Sequence, residues 1–313
     1  MVERKKQDAL SRSGDQVVRF PDRVRVTHKD IEGDQQIVIV IHGFTADASY
    51  LEQIMQDLTD DAVKVFAFEY ACYRGIDTAA ENLRHRISLL DRGGELSRSR
   101  VTLVGHSMGG LVARYLVCLL GGDKYVHTVI TLGTPHQGTL KNSALLPVLI
   151  EWSHSVSSAA PVAFTPDSRS AKQLIGQDPA PTLLNRLNAA RPPAQNVKFH
   201  SISGGYPKLE FGKGFIKDAI LRHWIRGNLK EPHDGLVEEV SSDISSESLT
   251  GCFSYARHFK EYPEYSDTNH SNLVSNQAIA LEVANIIACQ GDVMSILNAA
   301  HFESPLAAPK DAH

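Results

Sequence analysis

Cysteine is scarce in this sequence: four in 313 residues (Cys72, Cys118, Cys252 and Cys289), far apart and set mostly among apolar neighbours. No two stand at the short spacing of a zinc site or a redox pair. They read as buried free thiols, in keeping with a reducing, cytoplasmic setting. The opening residues, Met1 to Asp8, are followed by no apolar run of the kind an export signal carries. No stretch is long and apolar enough to span a bilayer. Charge of one sign is also missing, since 32 Lys and Arg meet 36 Asp and Glu. The basic residues are dispersed, which removes nucleic acid as a main partner. No internal repeat is visible.

What is present is an alternation of apolar runs and amphipathic stretches, in a chain long enough to bury a full core. Gln36–Ile41 is a continuous β-branched run, as expected of a strand buried on both faces. Val24–Val26 reads as an earlier strand, after a polar segment over 1–22. Further strands are expected at Val63–Phe68, Val101–Val104, Val126–Leu132 and Val197–Ile202. Helices are expected at Ser49–Leu58 and Ile76–Leu90. This rhythm predicts an α/β fold: a mostly parallel, doubly wound sheet within a domain spanning 23–290. Two insertions interrupt it, 139–195 and 206–232, too long for ordinary connections and better read as helical caps. The core resumes at Asp234–Val237, continues through Leu249–Tyr255 and ends in a helix over Asn272–Cys289, with Val274, Ala278, Leu281 and Ile286 apolar. Residues 291–313 form a tail.

The chemistry centres on Gly105-His106-Ser107-Met108-Gly109, placed between the strand Val101–Val104 and an apolar helix. The pattern G-x-S-x-G acquires chemical meaning in that setting, because a sharp strand-to-helix turn holds the hydroxyl out at the strand's end. A nucleophilic serine needs a base, an acid to orient that base, and donors for the oxyanion. Fourteen histidines compete. His270, in a loop just before the final helix, is the choice for base, with His136, His233 and His258 as surface or loop competitors. His106 is locked into the elbow and points elsewhere. Asp234, before Gly235 in a loop entering a strand, is the choice for acid, ahead of Asp243 and Asp267. The oxyanion donors are expected to be the backbone N–H groups of Met108 and Phe44, although Phe44 serves equally well as an apolar wall of the acyl pocket. His42 reads as a structural hydrogen-bonder at the substrate-binding surface.

Ile41-His-Gly-Phe44, Val104-Gly-His-Ser-Met-Gly-Gly-Leu111, Leu132-Gly-Thr-Pro-His-Gln-Gly138, Asp234-Gly-Leu-Val237 and Asn269-His270, in that order, resemble a lipase or esterase of the α/β-hydrolase superfamily. The similarity is greatest to the bacterial lipases and to the PGAP1-like and DUF676-type serine esterases. It implies Ser107 as nucleophile, Asp234 and His270 as acid and base, and no cofactor. Many secreted members carry a calcium-ligating aspartate two residues after the histidine. Here that residue is Asn272, so no metal is expected.

The function expected is hydrolysis of a small-molecule or lipid ester. Acyl transfer or thioester cleavage by the same machinery is the alternative, and a catalytically silent binding module is a weaker one. In the second insertion Phe211, Phe215, Ile216, Ala219, Ile220 and Trp224 recur at helical spacing, with Lys213, Lys217, Arg222 and Arg226 nearby. Trp224 is expected to wall the acyl site. The segment 207–227 is either a cap packed on the core, the favoured reading, or a peripheral membrane contact.

Overall fold

The computed structural model describes residues 14–33, 35–44, 46–91, 94, 96, 101–139, 168–191, 193, 197–207, 229, 232–246, 249, 257–262 and 267–289. Among the described residues seven strands form one sheet in the order β1-β3-β2-β4-β5-β6-β7. They are β1 (Gln16–Val18), β2 (Gln36–Ile41), β3 (Val63–Glu69), β4 (Val101–His106), β5 (Val126–Leu132), β6 (Lys198–Gly204) and β7 (Arg257–Tyr262). Every pairing is parallel except that of the edge strand β1 with β3.

The β-branched runs explain the layering. In β2, Ile37, Ile39 and Ile41 turn to one face and Val38 and Val40 to the other, and all five are buried. The first face is covered by α2 (Ile76–Leu90) and α3 (Met108–Leu119), through residues such as Leu83, Ile87, Leu111 and Val112. The second is covered by α1 (Glu52–Leu58) and α7 (Gln277–Ala288), through Ile54, Met55, Val283 and Ile287. A strand covered on both sides has no solvated face, so its sequence does not alternate. The order of strands brings the carboxyl ends of β2, β4, β5 and β6 to one edge, where an open α/β sheet binds its ligands.

The sheet begins earlier than the polar opening suggests. Val17 and Val18 are buried in β1, whereas Val24–Val26 contributes only a bridge from Arg25 to Val18. A three-residue strand leaves too short a pattern to recognise. Asp234–Val237 is likewise a turn rather than a strand entry. Gly235 takes a φ of 100°, Asp234 Oδ1 accepts from the N–H groups of Leu236 and Val237, and the short helix α6 (Glu239–Ser242) follows. Leu236 and Val237 are apolar because the turn is buried. The last strand is therefore Arg257–Tyr262, later than expected; of the stretch 249–255, only Leu249 lies within the described residues. In α7 the buried stripe is Ile279, Ala280, Val283, Ile286 and Ile287. Ala278 is exposed and Leu281 is 64% exposed, the stripe lying about one residue from the expected phase.

Within 139–195 two short helices are described, α4 (Arg169–Leu174) and α5 (Leu183–Asn188). Trp224 and the rest of the basic-apolar stripe from Phe211 to Arg226 lie outside the described residues, as do Cys252 and the tail from 291. Cys72, Cys118 and Cys289 are in no disulfide. Among the described residues no helix is long and apolar enough to cross a membrane, and no cluster of three or more His, Cys, Asp or Glu side chains could hold a metal ion.

Candidate active site

The site grows from the end of β4. Ser107 adopts φ 53° and ψ −125°, a left-handed conformation that costs a non-glycine residue about 1–3 kcal/mol. Three contacts hold it there. Its N–H donates to Leu132 O (2.8 Å), its carbonyl accepts from Thr134 Oγ1 (2.8 Å), and Gly110 N–H donates to the same carbonyl (3.1 Å). The turn is so tight that a Cβ on Gly109 would collide with the carbonyl oxygen of Ile41, and one on Gly105 with the backbone of Gly110. A Cβ on Gly43 would come 3.0 Å from Ser107 Cβ, so the loop leaving β2 runs directly alongside the serine. Ser107 is part-exposed, while Phe44 and Met108 on either side of it are buried. Met108 opens α3, where the first N–H groups of a helix have no intrahelical acceptor.

Asp234 and His270 meet at the same edge. His270 Nδ1 and Asp234 Oδ2 are 2.8 Å apart, and the two side chains are 1% and 0% exposed. The other carboxylate oxygen, Oδ1, takes the backbone donors of the 234–237 turn, so the acid is fixed on both sides. The His270 N–H also donates to Asp234 O (2.8 Å). Gly133, at φ 56°, fits beneath the pair, since a Cβ there would lie 2.9 Å from Asp234 Oδ2 and 3.1 Å from His270 Nδ1. Such an arrangement fixes the imidazole with its proton on Nδ1 and its Nε2 available as a base.

The rival acids are placed differently. Asp243 Oδ1 accepts from the N–H and hydroxyl of Ser245, closing a turn after α6, and Asp267 is exposed at a φ of 55°. Two of the competing histidines are not on the surface. His136 and His233 are fully buried, and His258 belongs to β7. Burial pushes His136 well below the usual imidazole range, with the positive Arg114 adding to the effect. It is therefore neutral, lying 3.2 Å from the Arg114 guanidinium and 3.1 Å from Thr131 Oγ1. Arg114 itself, on α3, is fully buried and also donates to Asn188 of α5 (3.0 Å). His42 is stacked on Tyr70 with ring centroids 4.2 Å apart, and Tyr70 donates its hydroxyl to His42 O (2.7 Å). Burial lowers the His42 imidazole to about 4.

Two features lay beyond sequence reasoning. Thr134 and Tyr70 support the serine turn and the β2 loop through backbone carbonyls, a role with no signature beyond the Gly133-Thr-Pro-His run. The ring of His106 is turned toward His270, with centroids 4.9 Å apart, because both sit at the end of the same sheet edge. It does not point elsewhere, as its place in the elbow had suggested.

Residues 32–193, just over half of the chain, match the family described as "Putative serine esterase (DUF676)". A triacylglycerol lipase from Pseudarthrobacter phenanthrenivorans is 30% identical over 112 residues, covering 33% of this chain and 34% of that protein. The chain thus spans about a third of the length of this curated relative. Among solved structures, mature Bacillus licheniformis lipase BlEst2 aligns with a TM-score of 0.52 at 16% identity, covering 83% of this chain and 94% of that one. An esterase from Thermogutta terrifontis aligns with a TM-score of 0.53 at 13% identity, covering 83% and 92%. At such identities the likeness speaks for the fold alone, and that fold is the α/β-hydrolase sheet described above. With just over half of its length matched, the chain belongs to the DUF676 serine esterase family.

Proposed function

We propose that the protein is a carboxylic ester hydrolase working through an acyl-enzyme on Ser107, with His270 as base and Asp234 as the acid that orients it. The observation that carries this reading is the buried Asp234–His270 hydrogen bond, seated on Gly133 one residue after the strand that anchors Ser107 N–H. Ser107 Oγ attacks the acyl carbonyl and its proton passes to His270 Nε2. The carbonyl oxygen becomes an oxyanion facing the N–H groups of Met108 and Phe44. The tetrahedral intermediate expels the alcohol, which takes the proton from His270. Water then attacks the acyl-enzyme by the same route and releases the acid.

His42, stacked on Tyr70, shapes the β2 loop that carries Phe44 and sets one side of the substrate site. The hydrolase domain of this reading spans 23–290. The chain works in the cytoplasm, where its thiols stay reduced. The substrate is an acyl ester or lipid, and no cofactor takes part. A fluorophosphonate probe with purified protein tests the proposal. Wild type should label stoichiometrically and Ser107→Ala not at all, with p-nitrophenyl esters of graded chain length giving the acyl preference. Failure of wild type both to label and to hydrolyse any ester would refute it.

A further inference from the structure

His106 immediately precedes the serine, at the last position of β4. Its Nε2 lies 2.9 Å from the carbonyl oxygen of His270. A carbonyl only accepts, so the imidazole carries its proton on Nε2 and donates it. The ring is 1% exposed, and burial, with the neighbouring His270, lowers it to about 3. It thus stays neutral while His270 gains and loses a proton. On its other side the ring packs against Tyr50, with centroids 5.5 Å apart, and the Tyr50 hydroxyl donates to the carbonyl of the next residue, Ser271 (2.6 Å). The His270 loop is therefore held by its own N–H on Asp234 O, by His106 on the carbonyl of 270 and by Tyr50 on the carbonyl of 271.

We propose that His106 is a positioning residue for His270: it ties the backbone of the base to the turn that presents the nucleophile, so that one dipeptide, His106-Ser107, sets the spacing of both reacting groups. This inference rests on the function proposed above. The Asp234 contact fixes how the His270 ring is turned, but it leaves the ring's distance from the serine to the backbone of a loop with no regular structure. His106 supplies that distance from β4, a strand paired on both sides. Reacting groups must be held within about 0.5 Å, and a displacement near 1 Å costs on the order of 10²-fold in rate. A neutral donor suits the task, because a cation at 106 would oppose the imidazolium that forms on His270 during turnover.

The test compares His106→Leu, which fills similar space without a donor, with His106→Gln, whose amide N–H reaches about as far as Nε2. Leu should lower kcat by about 30- to 100-fold with KM within about threefold, and slow fluorophosphonate labelling by the same factor. Gln should recover most of that loss. The low-field proton resonance of the His270 Nδ1–H···Asp234 bond should shift or broaden in the Leu variant and persist in the Gln variant. If Leu retains kcat within threefold, or loses it with the resonance unmoved, the proposal is overturned. Should the Leu variant not fold, Tyr50→Phe releases the same loop from its other side. It should lower kcat about three- to tenfold with the same resonance shift, and a Phe variant with unchanged kcat and resonance would refute the clamp. The resonance needs no substrate. Inert wild type with the resonance responding as described would therefore defeat the function proposed and leave the clamp standing.

Discussion

The residues assigned to catalysis come from two halves of the molecule that are built differently. The first, from β2 to Gly138, is held mainly by backbone: a strained serine, glycines that cannot accept a Cβ, and main-chain hydrogen bonds between neighbouring strand ends, with the Thr134 and Tyr70 hydroxyls added. The second supplies Asp234 and His270 from irregular loops held by side chains, such as the Asp234 carboxylate and the His106 and Tyr50 donors. The family match ends at residue 193, before either Asp234 or His270. Backbone-imposed geometry demands particular residues in a row and leaves a motif. Geometry imposed by side chains demands only that partners meet, which many sequences achieve.

The sharpest break would come from removing one member of each half. Ser107→Ala should lower kcat by about 10³-fold or more, and His270→Ala by a similar factor, measured on a short p-nitrophenyl ester. Asp234→Asn should cost somewhat less. Since residues acting as a unit are not additive, the double variant Ser107→Ala/His270→Ala should be no worse than either single one. If Asp234→Asn stayed near wild type, the second half would have to draw its acid from elsewhere.

Next in size is the effect of a single methyl group. Gly109→Ala sets a Cβ against Ile41 O in a place where only backbone could yield. It should destabilise the fold by about 1–3 kcal/mol, the range for overpacking, and reduce labelling of Ser107 with it. Ser245→Ala, beside the rival acid Asp243, should change stability by about 0.5 kcal/mol or less by urea denaturation. Equal losses at the two positions would erase the contrast between the halves.

Acid should weaken the first half. The His42 and His106 imidazoles are lowered from 6.5 to about 4 and about 3. Between those values and 6.5 the unfolded chain binds protons that the fold refuses, so stability is full above about pH 6.5 and falls as pH drops. The His42 contribution is complete in its loss near pH 4 and that of His106 near pH 3. Each shift corresponds to roughly 3 kcal/mol or more at full expression. Urea unfolding at pH 7.5 and pH 5 should show the decline, and His42→Gln should flatten it. The smallest expected effect is zero: EDTA should leave activity and Tm unchanged, because Asn272 donates its amide to Asp267 O in place of a charged ligand. A chelator-induced loss restored by calcium would contradict this.

Legibility in the sequence followed the same division. The bounds of β2, α2 and β5 could be read from uninterrupted periodic runs, and Ser107 from its glycines. Asp234 and His270 could be selected by chain order, but not their surroundings: Leu236 and Val237 mimic a strand because a buried turn needs apolar residues too. His136 and His233 read as surface or loop residues; they lie between regular elements but are buried, and nothing local distinguishes a polar ring in solvent from one buried against Arg114 or a turn N–H. β1 was hidden by its length, and the phase of α7 by the number of apolar residues on its exposed side.

One further consequence follows from Arg114. Its guanidinium, buried beneath α3, reaches His136 in the loop after β5 and Asn188 of α5. Asn188 in turn donates to His136 O (3.3 Å). The insertion around α5 is thus no detachable accessory: excising it would strip a buried cation of one acceptor, a loss of about 1.5–3 kcal/mol. Positions 114, 136 and 188 are one unit, and changing any of them takes a partner from the other two.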